Sequence, residues 1–104
     1  MAHHETLLAA QTEALKQLPI KYKGYITLVD MHVGYLGITY VNIVADEGRP
    51  QFNAQLATLK KDVRKGICAS EDMKGMLKSG VSYSYEYRDT IGAMIVEFVV
   101  DSCP

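Results

Sequence analysis

A chain of 104 residues with 48% hydrophobic and 22% charged side chains has the composition of one globular domain, and too little length for a second core. Its 11 basic and 12 acidic residues leave a net charge of −1, which supplies no long-range field toward nucleic acid or an anionic membrane. No segment approaches the roughly 20 apolar residues of a spanning helix, so a soluble single domain over residues 1–104 with no transmembrane segment is expected.

Residues 1–4, MAHH, read as a tag remnant or a disordered start. If Met1 is removed, Ala2-His3-His4 has a spacing that chelates copper or nickel, but the tag reading is preferred and no metal site is assigned. No secretory signal is visible in MAHHETLLAAQTEALKQL, which carries Glu5, Gln11, Glu13 and Lys16. From Glu5 to Leu18 the stripe Leu8, Gln11, Leu15, Leu18 predicts a helix, ended by Pro19. Tyr25–Val33 and Leu36–Val44 are β-branched and aromatic runs around GYLG, which predicts a hairpin. Phe52, Leu56, Leu59, Val63 and Ile67 recur at helical spacing and predict a second helix, with Gly66 as its C-cap. Ser70 is placed to cap a short third helix, with Glu71 and Asp72 in its first turn and Gly80 as its stop.

The last two runs predict a second hairpin. Val81, Tyr83, Tyr85 and Tyr87 share one face of the first strand, and Met94, Val96, Phe98 and Val100 one face of the second. A four-residue turn DTIG pairs Tyr87 with Met94, Tyr85 with Val96 and Tyr83 with Phe98. A three-residue loop with Gly92 in a bulge instead sets Glu97 beside Tyr85. The first register is preferred because it segregates apolar from polar side chains. The expected architecture is therefore α+β in the order αββααββ. Two hairpins form a four-stranded antiparallel sheet, with the two longer helices packed on one face.

Cys68 follows the second helix and Cys103 the last strand, too far apart for a CxxC redox pair or a local zinc knuckle. In an oxidising compartment they can form a bridge; in the cytosol they are ordinary thiols. The bridge is preferred because each cysteine sits just past a regular element. A catalytic thiol would need a base, and the only histidine beyond the start is His32, in a predicted strand.

The stretches QLP, ITY and ICASEDMKGMLKSGVSYSYEYRDTIGAMIVEFVVDSC resemble a widespread group of small exported bacterial proteins. Their pattern is a cysteine before a short helix, a glycine, Tyr-x-Tyr, an Asp…Gly turn, an apolar strand and a terminal cysteine. Cys68, Gly80, Tyr85, Tyr87, Asp89, Gly92 and Cys103 match it. Relatives of this kind are periplasmic or lipoprotein-type domains, some carried on mobile gene cassettes. The resemblance implies export and a disulfide, and it implies no catalytic residues.

The row Tyr83, Tyr85, Tyr87 is a candidate stacking platform, but only Arg88 offers positive charge beside it, so cross-strand packing is the simpler reading and no nucleic-acid partner is expected. KKDVRK clusters Lys60, Lys61, Arg64 and Lys65 on the second helix. This is either a solvated face or a site for an anionic partner such as membrane phosphates. Asp30 and His32 alternate on the first strand, on the face expected for Ile26 and Leu28, as a candidate polar patch. No nucleotide-binding, hydrolase or metalloprotease signature occurs, and no cofactor is expected.

The expected function is a non-enzymatic extracytoplasmic interaction module, periplasmic or otherwise exported; free cysteines would instead point to the cytoplasm. It would bind a protein or envelope partner, or itself as a homodimer, through the uncovered sheet face or an edge strand. The alternative is a small-ligand protein or minor enzyme with a pocket between sheet and helices, lined by Tyr25, His32, Tyr40 and Tyr83.

Overall fold

The computed structural model describes residues 16–22 and 24–104. Of the predicted first helix Lys16 and Gln17 are helical and Leu18 is not; residues 5–15 of it, and residues 1–4, lie outside the described residues. The elements that follow are β1 (Ile20–Tyr22), β2 (Ile26–Val33), β3 (Gly37–Val44), a 3-10 turn (Asp46–Gly48), α1 (Arg49–Ala69), α2 (Glu71–Lys78), β4 (Ser82–Arg88) and β5 (Met94–Val100). The strands form one sheet in the order β1-β2-β3-β4-β5. All neighbours are antiparallel except β3 and β4, which run parallel.

This overturns the expected four-stranded antiparallel sheet and the order αββααββ. β1 has only three residues and follows directly on Pro19, too short to show a period-two pattern. The parallel pair follows from the connection. Between Val44 and Ser82 the chain forms α1 and α2, and a helical crossover of that kind returns it to the end where β3 began. Gly37 therefore pairs with Ser82, and Ile43 with Arg88.

Two bulges set the faces. In β2 the register shifts between Leu28 and Asp30, leaving Val29 as the extra residue. The Met31 N–H donates to Asp30 Oδ1 at 2.8 Å and holds the kink. Beyond it Met31 is buried beside Ile26 and Leu28, while Asp30 and His32 turn to the opposite face, not the face of Ile26 and Leu28 that alternation predicts. In the last hairpin Tyr87 pairs with Val96, Tyr85 with Phe98 and Tyr83 with Val100. The tyrosine and apolar sets do meet, but two residues further along than the four-residue turn predicts: one residue comes from a loop that pairs Arg88 with Met94, the other from a bulge that leaves Ile95 extra. Asp89 organises a wider loop: its Oδ1 accepts the N–H groups of Ile91 at 3.0 Å and Ala93 at 2.9 Å. Gly92 takes a φ of 91°, which a side chain disfavours.

α1 starts where Gly48 lies against Tyr25, close enough that a Cβ would run into that side chain. Gly66 is not a cap, because the helix continues to Ala69. Ser70 ends α1 and opens α2, its Oγ accepting from Met73 N–H at 3.3 Å. Glu71 and Asp72 in the first turn of α2 and Lys78 in the last suit the helix dipole. Between the helices and the sheet lie two buried clusters: Ile26, Val44, Phe52 and Tyr87 under α1 at one end, and Met31, Ile38, Ile67, Leu77, Val81, Tyr83 and Val100 under α1 and α2 at the other. Tyr85 and Phe98 pack against both.

A bond between Cys68 and Cys103 fastens the tail after β5 to the end of α1, with Cα atoms 5.8 Å apart and a separation of 35 positions in sequence. Closing such a loop restricts the unfolded chain by an amount that corresponds to about 3–4 kcal/mol. Replacing both cysteines with alanine is expected to lower unfolding free energy by that order in urea titrations. An unchanged midpoint would show that the tail contributes nothing to the fold.

Candidate functional site: a groove between the long helix and the tyrosine band

Cross-strand pairing assembles three rows on the helix-bearing face: Val33, Ile38, Tyr83 and Val100; Met31, Tyr40, Tyr85 and Phe98; Leu28, Asn42, Tyr87 and Val96. The middle row is the aromatic spine. Tyr40 stacks on Tyr85 with centroids 4.9 Å apart, and Tyr85 on Phe98 at 5.4 Å. Tyr87 lies 5.8 Å from Phe98 and 5.2 Å from Phe52 of α1, and Lys60 Nζ stands 5.7 Å from the Phe98 centroid. Such ring pairs each add about 0.5–1.5 kcal/mol beyond their burial.

α1 does not close fully on this band. A cavity of about 340 Å³ remains, with Tyr40, Asn42, Tyr85 and Tyr87 on the sheet side and Leu59, Val63, Gly66 and Ile67 on the helix side. The gap persists because Gly66 offers no side chain, and a Cβ built there meets nothing within 4 Å. A glycine inside a helix costs about 0.5–1 kcal/mol relative to alanine, and no packing inside the fold requires this one. Asn42 is the one buried polar side chain of the band, its Nδ2 donating to Glu86 O at 3.3 Å. Asp62 stands at the rim. The groove is suited to an apolar segment with a few polar anchors, and it brings together no nucleophile and base.

The residues singled out in the sequence are only partly collected here. Tyr40, Tyr85 and Tyr87 line the groove. Tyr83 is 2% exposed, its hydroxyl donating to Met73 O at 3.3 Å, and burial raises its pKa. Tyr25 borders a separate small crevice beside Phe52 and donates to Gln55 Oε1 at 3.1 Å. His32 pairs with Asp30 at 3.3 Å on the opposite, exposed face, and the cysteines are bonded to each other, so neither is a free thiol for it to activate. The groove residues that periodicity does not single out are Asn42 and Gly66. Each carries a local signal: an amide at a core-facing strand position, and a glycine inside a helix. The tyrosines lie beneath α1, so they do not form an open platform for bases.

No family model and no curated protein sequence matches the chain. Solved structures share its fold. A candidate secreted protein from Pseudomonas aeruginosa superposes with a TM-score of 0.81 at 11% identity, covering 94% of this chain and 88% of that one. The type II secretion system pilotin EpsS from Vibrio vulnificus gives 0.71 at 20% identity, covering 93% and 89%. The type II secretion system pilotin AspS from Vibrio cholerae gives 0.67 at 17%, covering 88% and 82%.

The raised pKa of Tyr83 has a pH signature. A hydroxyl whose folded pKa lies above its ordinary 10.0 favours the folded state fully at lower pH, and that contribution is lost as pH rises through the raised value. Tyr83→Phe is expected to cost about 1 kcal/mol at neutral pH, the size of one hydrogen bond. The gap between wild type and variant should narrow in urea titrations above pH 10. A gap that stays constant with pH would show that Tyr83 ionises as readily folded as unfolded.

Proposed function

We propose that this chain is a non-enzymatic, pilotin-like adaptor of the bacterial envelope that binds a protein partner in the groove between α1 and the tyrosine band. The observation that carries the reading is an apolar cavity left open under α1, in a fold shared almost end to end with two type II secretion pilotins. The Cys68–Cys103 bond supports a compartment outside the cytoplasm, where disulfides persist. The groove is preferred to the opposite sheet face because that face carries polar pairs, Asp30 with His32 and Glu86 with Arg88. A partner's apolar side chains would replace the contacts missing above Gly66.

A small-ligand reading uses the same cavity, whose volume of about 340 Å³ is at the lower end of the ligand range. Of its four predicted lining residues only Tyr40 is there. A photoreactive phenylalanine analogue at Asp62, in the native host, is expected to give one adduct whose partner is an envelope-apparatus protein. Adding Gly66→Trp, which fills the groove, should abolish it with helical and strand content unchanged. An equal adduct from Glu97 on the opposite face, or an Asp62 adduct that survives Gly66→Trp, would contradict the assignment.

A further inference from the structure

The flank of α1 turned away from the groove carries the cations of KKDVRK. Lys61, Arg64, Lys65 and Cys68 fall at spacings of 3, 4 and 7 and so share one helix face. Leu59, Asp62, Val63 and Gly66 form the groove face on the other side. The disulfide turns this basic stripe into a cleft. It draws the tail up along α1, where Arg64 Nε donates to Ser102 O at 3.2 Å and its NH2 group to Ser102 Oγ at 3.3 Å. The resulting cleft, about 500 Å³, is walled by α1, by Lys74 of α2 and by Cys103 and Pro104. Four cations line it and no acidic side chain does.

The local charge matters because the chain as a whole is at −1 and would not otherwise seek anions. A phosphate suits the cleft, since a guanidinium offers paired donors and lysines add mobile point charges. A second feature points to a surface rather than to a free ion. Ser82 N–H donates to Leu36 O at 3.0 Å, and Tyr83 pairs with Val100, so the β2–β3 turn and the departing tail lie at the same end of the sheet. That turn exposes Tyr35 at 62% and Leu36 at 48%. A tyrosine and a leucine at the same end as a basic cluster are the side chains that settle at a lipid headgroup layer.

We propose that this end of the molecule rests on an anionic phospholipid surface, with lipid phosphates held by Lys61, Arg64, Lys65 and Lys74. The site is independent of the groove on the other flank of α1. The test is co-sedimentation with phosphatidylcholine vesicles containing or lacking phosphatidylglycerol. The wild-type chain is expected to bind only the anionic vesicles. The triple variant Lys61→Gln, Lys65→Gln, Lys74→Gln should weaken that binding by at least about tenfold. Lys16→Gln, Lys21→Gln, Lys60→Gln changes the net charge equally and should leave it nearly intact. Equal loss in both triples would reduce the effect to net charge and overturn the site. Absence of vesicle binding would overturn it too. So would inorganic phosphate that saturates the cleft, followed by NMR, while anionic vesicles bind no better than neutral ones.

Discussion

Because β4 runs parallel to β3, the chain that leaves Val44 has to travel the length of the sheet before Ser82 can enter its strand. α1 makes that journey across the tyrosine-bearing face, and its 21 residues span about 30 Å at the helical rise. An all-antiparallel sheet would impose no such crossing. The helix and the cover over the aromatic spine are both consequences of one strand pairing, and the gap lies where that cover carries Gly66. The Cys68–Cys103 bond then ties the far end of the crossing to the outermost long strand, so neither α1 nor the tail can lift away alone.

α1 thereby acquires two flanks of opposite character. One faces the sheet across an apolar gap with a single buried amide, Asn42. The other carries three cations and the cysteine that holds the tail against them. A rigid helix exposing both could hold a protein segment on one side while the molecule lies on a charged surface with the other. Neither flank needs a catalytic group, and the one histidine among the described residues stands apart on the far face of the sheet.

Much of this was legible in the sequence, and the parts that were not have physical reasons. The amphipathic repeat Phe52 to Ile67 marks α1, Ser70 marks the start of α2, and the alternating tyrosines mark β4 with its buried face. Strand direction was missed because hydrophobic periodicity is blind to it, although a connection of two helices between Val44 and Ser82 already favoured a parallel return. The face of Asp30 and His32 was misread because one bulged residue, Val29, reverses every position after it. The hairpin register slid by two because the Asp89 carboxylate stabilises a loop one residue longer than the turn residues alone suggest, and a bulge at Ile95 adds the second residue. The groove was invisible to periodicity, since it is made by a missing side chain rather than by a present one.

The central physical claim is that the gap beneath α1 is an open, apolar binding surface in the isolated protein. Methyl NMR of the purified chain titrated with a small apolar probe such as benzene tests it most directly, because apolar cavities bind such probes. Saturable shifts confined to Leu28, Leu59, Val63 and Ile67, and lost in Gly66→Trp, are the predicted result. Shifts that never saturate, or that centre on Val41 and Val99 of the opposite face, would contradict it.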